Sequence, residues 1–291
     1  MMKVGFVGLG SMGLPMAKNL LARGFVVRGF DVNPAALQAL EASGGIPAAS
    51  VADALSVADV AVLMVVNSAQ AEQVLFADGG LAALPANGIV ALMATCSPRA
   101  VESIAARVLG FGRRFVDAPV SGGVVGAQGA SLSIMAAAPQ QTFDAARPVL
   151  AALGDKIFHV GDRPGQGAMV KTVNQLLCGV HIAVCAEAFS LAAKVGVDLG
   201  LMLEILSGSS ASSWMLKDRG PRMLQADPEV GSAVDIFVKD LGLVLEAGRD
   251  TKAALPLAAL AHQMFLAVSG RGDGRSDDSQ VIRAYRALNA L

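Results

Sequence analysis

Gly8, Gly10 and Gly13 stand at G-x-G-x-x-G spacing directly after the apolar stretch Val4–Val7. That spacing suits the pyrophosphate of a dinucleotide. Gly8 permits a tight turn, Gly10 lets the backbone approach phosphate, and Gly13 lets the next helix pack closely on the strand. Ser11 and Met12 complete the turn, and the N-terminus of the helix then faces the anion. Leu14, Ala17, Leu20 and Leu21 share one face of that helix, which Arg23-Gly24 closes. A second strand, Val26–Phe30, ends in Asp31, 18 residues after Gly13. A carboxylate there accepts both ribose hydroxyls and repels a 2′-phosphate, which points to NAD as cofactor. Arg28, on the opposite strand face, is poorly placed to neutralise such a phosphate. The alternative is a purely structural glycine turn in a parallel sheet.

A cofactor site names no reaction, so a proton carrier must come from elsewhere. Lys171, Asn174 and Gln175 lie at i, i+3 and i+4 near the start of a long helical stretch, so they share a face. They are expected where that helix leaves the dinucleotide domain, and an interdomain cleft is the usual place for a ligand. A desolvated lysine, its pKa lowered from about 10.4, can exchange a proton with a substrate hydroxyl while hydride moves to nicotinamide. The competing reading is a solvated lysine beside polar helix residues. A second cluster, Asp117-Ala118-Pro119-Val120-Ser121-Gly122-Gly123, follows an expected strand at the sheet's carboxyl edge. Ser121 and the N–H groups of Gly122 and Gly123 can cradle a carboxylate, or the segment is a plain glycine turn.

The elements that must carry these residues alternate through the first half. Strands are expected at Val26–Asp31, Val60–Val66, Ile89–Thr95, Phe115–Val120, Leu132–Ala138 and Lys156–Val160. Helices are expected from Asn33-Pro34 to Ala42, over Ala69–Phe76, from Ser97-Pro98 to Leu109, and over Gln141–Leu153. Repeated β-α units argue for an α/β doubly wound Rossmann sheet with helices on both faces. Near Gly161 the pattern changes. Gly165–Lys194 is helical throughout, about 45 Å at 1.5 Å per residue, and joins the sheet to an all-α C-terminal domain. Its further helices are Leu199–Ser207, Ser213–Leu224, Val234–Arg249, Pro256–Val268 and Asp277–Leu288. The expected domains are residues 1–163 and 164–291.

The 291 residues suffice for two buried cores. Hydrophobic content is 54% and charge 16%, against about 25% charged in an average domain, which suggests tight helix packing and a buried subunit interface. No unbroken apolar run approaches the roughly 18 residues of a membrane span. Lys3 before an apolar stretch resembles a secretory leader, but three glycines at motif spacing favour the phosphate loop. A net charge of −1 with no basic run argues against a nucleic-acid partner. Cys96, Cys178 and Cys185 form no C-x-x-C pair and fit a reducing, cytoplasmic compartment, with Cys178 and Cys185 read as buried helix residues. His159, His181 and His262 are isolated, so no metal site is expected.

Together these stretches resemble the β-hydroxyacid dehydrogenase family, relatives of 3-hydroxyisobutyrate dehydrogenase and tartronate semialdehyde reductase. The matching residues are Gly5–Gly13, Asp117–Gly123, Gly165-Gln166-Gly167 with Lys171–Gln175, and Lys239-Asp240-Leu241. The resemblance covers essentially the whole chain. It implies Lys171 as catalytic acid/base, Ser121-Gly122-Gly123 as substrate-carboxylate clamp, and Asn174 and Gln175 as substrate contacts. It also implies Thr95 and Lys239 near the cofactor, a hydroxy-acid substrate, and a homodimer or homotetramer built through the helical domain. The stretches around Asn174, Trp214 and Lys239 look most like the subgroup that oxidises the 2-hydroxyl of a four-carbon sugar acid. Three departures from the wider family favour a more polar substrate than 3-hydroxyisobutyrate. Gln175 replaces a frequent Asn, Leu92-Met93-Ala94-Thr95 keeps only the last hydroxyl of Asp-x-Ser-Thr, and Ser232 replaces a frequent aromatic. Some relatives keep the fold as non-catalytic dinucleotide-binding modules, and the imine reductases replace the lysine. Lys171, Asn174 and Ser121 favour a dehydrogenase over both.

Overall fold

The computed structural model describes residues 1–290. The chain forms two compact units, Met1–Lys171 and Thr172–Leu291. The first holds a nine-stranded sheet: β1 Lys3–Val7, β2 Val26–Phe30, β3 Ile46–Pro47, β4 Val60–Leu63, β5 Ile89–Leu92, β6 Arg114–Asp117, β7 Val120–Ser121, β8 Ser133–Ala137 and β9 Lys156–Gly161. The order is β3-β2-β1-β4-β5-β6-β8-β7, with β9 also paired to β8. From β3 to β6 all neighbours are parallel.

β1, β4 and β5 are short apolar runs because both sheet faces are covered. Alternation divides β1, so that Val4 and Phe6 join Met16, Leu20 and Leu150 in one core while Val7 joins Leu55, Leu63, Val101 and Ile104 in the other. Asn33 caps the helix Pro34–Glu41 and Ser97 caps Pro98–Gly110, each followed by proline in the first turn. The helical reading of Ala69–Phe76 becomes an α-helix over Ser68–Glu72 continued by a π turn over Gln73–Ala77.

The sheet is mixed rather than parallel throughout, since β8 runs antiparallel to β6 and β7. The expected single strand Phe115–Val120 is therefore two, β6 and β7. Pro119 between them has no N–H to give a ladder, so the break falls there.

The second unit is helical, with α-helices Leu199–Gly208, Trp214–Met223, Val234–Thr251, Pro256–Val268 and Ile282–Leu288. The long helix Gln166–Lys194 begins in the first unit and contributes Ile182, Ala183, Ala186 and Phe189 to the core of the second. By length and composition this helix could cross a bilayer, its most apolar 18-residue window having a mean hydropathy of 1.8. It reaches that value with His181 and Glu187 in its sequence, so it holds no unbroken apolar run of that length. Its buried residues pack into the core of this unit, while Leu177, Val184 and Leu191 stay more than half exposed. Cys185 is buried beside them, whereas Cys178, also expected to be buried, is half-exposed. In the same unit, Arg219 makes a bidentate pair with the buried Asp278 at 2.8 Å, and Arg222 reaches Asp277 at 2.6 Å.

Candidate active site

Parallel register brings the chemistry-bearing residues of the first unit to one edge. Phe30, Val7, Leu63, Leu92 and Asp117 form a continuous row across β2, β1, β4, β5 and β6. The residues that follow this row are Asp31, Gly8, Met64 and Met93, at the carboxyl edge where open α/β sheets bind ligands.

The glycine turn is built as its spacing predicts. Gly8 has φ +93°, and a Cβ there would lie 2.4 Å from the Met64 carbonyl oxygen. A Cβ on Gly13 would lie 1.8 Å from the Gly8 oxygen, so helix and turn touch through bare backbone. Gly10 has nothing within 4 Å of its Cβ position and leaves open space beside the loop. Met12, the N-cap of Gly13–Ala22, makes no side-chain cap hydrogen bond. The Leu14 N–H is bonded to the Gly10 oxygen at 3.1 Å and Pro15 has no N–H, so the first turn offers an anion the Gly13 N–H. Asp31 ties the loop to β2, accepting the Leu9 N–H at 2.6 Å on one oxygen and the Asn33 N–H at 2.8 Å on the other. Each oxygen keeps a further lone pair for a ribose hydroxyl. Arg28 is held in an ion pair with Asp53. The residues fit a nicotinamide dinucleotide, with the open Gly10 cradle for its pyrophosphate and Asp31 for its ribose. Thr95 lies half-buried in the loop after β5, on the same sheet edge.

Beyond β6 the chain turns through Pro119 into β7, and Ser121 pairs with Ser133 of β8. Gly122 has φ +133° and Gly123 φ +60°, conformations that side chains resist. No atom lies within 4 Å of the Gly123 Cβ position, so its backbone faces open space next to the half-buried Ser121.

Asp117 is a residue whose role the sequence does not reveal. It is 1% exposed, and its carboxylate accepts the N–H groups of Gly165 at 3.0 Å and Ala168 at 2.9 Å. It thus caps the long helix Gln166–Lys194 from a neighbouring strand. Gly167 permits this approach, since a Cβ there would lie 2.4 Å from the Met135 oxygen. Burial pushes the Asp117 carboxyl up to about 7, against the lowering effect of its backbone donors. Lys171, one turn further along, is 6% exposed, which excludes the solvated-lysine reading.

On the same helix face follow Asn174, half-buried, and Gln175, buried. Asn174 Nδ2 donates to Gln175 Oε1 at 3.0 Å, and Gln175 Nε2 donates to Asp240 Oδ2. Lys239 Nζ stands 2.6 Å from Asp240 Oδ1. Asp240 carries a sequence signal that can be read: it shares the buried face of Val234–Thr251 with Phe237, Leu241 and Val244. An acid on an apolar face needs a partner.

Residues 3–161 match the NAD binding domain of 6-phosphogluconate dehydrogenase, and residues 165–285 match the NAD-binding domain of NADP-dependent 3-hydroxyisobutyrate dehydrogenase. The chain belongs to the 3-hydroxyisobutyrate dehydrogenase family. It is an NAD-dependent hydroxyacid dehydrogenase, with an N-terminal Rossmann-type NAD domain and a helical C-terminal domain. An L-threonate dehydrogenase of Cupriavidus necator is 43% identical over 286 residues, covering 98% of this chain and 96% of that one. A 3-hydroxyisobutyrate dehydrogenase of Pseudomonas aeruginosa is 35% identical, covering 98% and 99%. The crystal structure of a 3-hydroxyisobutyrate dehydrogenase from Salmonella typhimurium superposes with a TM-score of 0.92 at 39% identity, covering 97% and 99%.

Proposed function

We propose that this dehydrogenase oxidises the 2-hydroxyl of a short sugar acid, L-threonate, to the 2-oxo acid 2-dehydro-L-erythronate. The observation that carries the reading is the buried Lys171 with the amide of Asn174 one turn along the same helix face. Lys171 takes the proton of the 2-hydroxyl, and Asn174 holds a hydroxyl in place. Ser121 and the N–H groups of Gly122 and Gly123 hold the substrate carboxylate. The nicotinamide dinucleotide, when bound, supplies the hydride acceptor. Asp31 and the glycine turn hold its ribose and pyrophosphate, Thr95 and Lys239 complete its surroundings, and NAD is preferred to NADP. Full-length likeness to L-threonate dehydrogenases supports the choice of substrate. Polar groups left unpaired by an apolar substrate also favour a polyhydroxy acid.

The test is the initial rate of NADH formation on L-threonate, D-erythronate, D-glycerate and 3-hydroxyisobutyrate. L-Threonate is expected to give the highest kcat/KM. A preference for 3-hydroxyisobutyrate removes the sugar-acid assignment and leaves the dehydrogenase. Absence of turnover on every hydroxy acid points to a non-catalytic module.

The protein is further proposed to work as a homodimer or homotetramer in the cytoplasm. Leu177, Val184 and Leu191 recur every seven residues on the long helix and are 51%, 51% and 64% exposed. That spacing forms an apolar stripe that a second copy can cover. Light scattering should give a mass above that of one chain, and Leu191→Glu should lower it.

A further inference from the structure

Gln175 is 8% exposed, and its neighbour Asp240 is 2% exposed. Both ends of the Gln175 amide are bonded within the C-terminal unit, its NH2 to Asp240 Oδ2 and its carbonyl to Asn174 Nδ2. The direction of these bonds is not free. Asp240, paired through its other oxygen with Lys239 Nζ at 2.6 Å, offers oxygen acceptors only. A reversed Gln175 amide would set its carbonyl oxygen against the Asp240 oxygen with no hydrogen between them. Gln175 must therefore turn its NH2 to Asp240 and its carbonyl to Asn174. Asn174 must answer with its own NH2, which also meets Cys178 Sγ at 3.3 Å. The group this leaves Asn174 for a ligand is its carbonyl oxygen Oδ1, an acceptor.

We propose that Gln175 is a positioning residue that relays the polarity of Asp240 to Asn174, so that Asn174 presents a carbonyl oxygen and selects a hydroxyl of the substrate. This rests on the reading of Asn174 as a substrate contact and reassigns Gln175 from contact to support. A hydroxyl donates to that oxygen; a methyl or hydrogen in its place leaves it unpaired, and an oxo group meets it acceptor to acceptor. The extra methylene of glutamine over asparagine gives the longer reach toward Asp240, across 65 positions of sequence. The amide is thus spent inside the protein, where a polar partner for a buried acid is required.

Two variants test the relay on whichever hydroxy acid the wild type turns over best, so a failed substrate assignment leaves the test intact. Gln175→Met keeps the length and removes the amide. It should lower kcat/KM about tenfold or more on that acid, while an analogue lacking a hydroxyl beside the reacting one loses much less. Gln175→Glu should be pH-sensitive. When protonated, its O–H donates to Asp240 and its carbonyl faces Asn174, which reproduces the relay. When ionised, it opposes Asp240, while Lys239 beside Asp240 and Lys171 one turn earlier on the same helix face carry the opposite sign. A Glu facing a buried acid titrates well above its usual value of about 4.3. Its kcat/KM relative to wild type should therefore fall about tenfold between about pH 6 and about pH 9. Equal losses on both acids in Gln175→Met, or a Gln175→Glu profile parallel to wild type, overturns the relay.

Discussion

The carboxylate of Asp117 accepts the backbone N–H of Ala168 at 2.9 Å, three residues before Lys171 on the same helix. A strand end thereby sets the start of the helix that carries the proposed proton carrier. The arrangement has a thermodynamic signature. Burial holds the Asp117 carboxyl at about 7 in the folded protein, above its ordinary 3.8. A carboxyl raised on folding contributes stability that is full below about pH 4 and is lost as the pH rises through about 7. Asp117→Asn has no such titration. Its Tm, measured beside wild type from about pH 4 to about pH 8, should gain on wild type as the pH rises. A difference in Tm that stays constant across that range contradicts the assigned shift.

Gly10 and Gly13 should fail in different ways. A Cβ on Gly10 meets nothing within 4 Å, so Gly10→Val should melt close to wild type and lose NAD affinity by about tenfold or more. A Cβ on Gly13 meets the Gly8 oxygen at 1.8 Å, so Gly13→Ala should lower the Tm as well. Thermal melts and NAD titrations separate the two. Wild-type NAD binding by Gly10→Val removes the phosphate from this loop.

Much of this arrangement is legible in the sequence because its signals are local. β4 and β5 are apolar runs of four residues, and the glycine turn, the caps at Asn33 and Ser97 and the helical period of Lys171, Asn174 and Gln175 all lie within short windows. What escapes is carried by distance. Asp117 finds its partners 48 and 51 residues away, and Gln175 finds Asp240 at 65. Helical period places Gln175 beside Lys171 but says nothing about which group its amide bonds. β7, a two-residue strand directly after Pro119, has no length in which a strand pattern can show. The antiparallel run of β8 escapes as well, since it is defined by pairing with β7 and with the far end of β6.

Asp31 should hold the choice of cofactor. Its carboxylate, fixed by the N–H groups of Leu9 and Asn33, meets a ribose hydroxyl favourably and a 2′-phosphate with like charge. Wild-type kcat/KM should favour NAD over NADP by about tenfold or more, and Asp31→Asn should narrow that ratio. Equal use of both cofactors by the wild type contradicts the assignment.

The central claim is that Lys171 carries the proton while the glycine turn independently holds the cofactor. Lys171→Ala should retain NAD affinity within about threefold and lose about a hundredfold or more in kcat, the lower range for a general acid–base group. Lys171→Arg should fail likewise, because guanidinium does not give up its proton. The decisive measurement is kcat of Lys171→Ala on the best hydroxy acid, taken with its NAD dissociation constant. A collapse of kcat with NAD binding intact is the result this account predicts; a variant that keeps most of its kcat contradicts it.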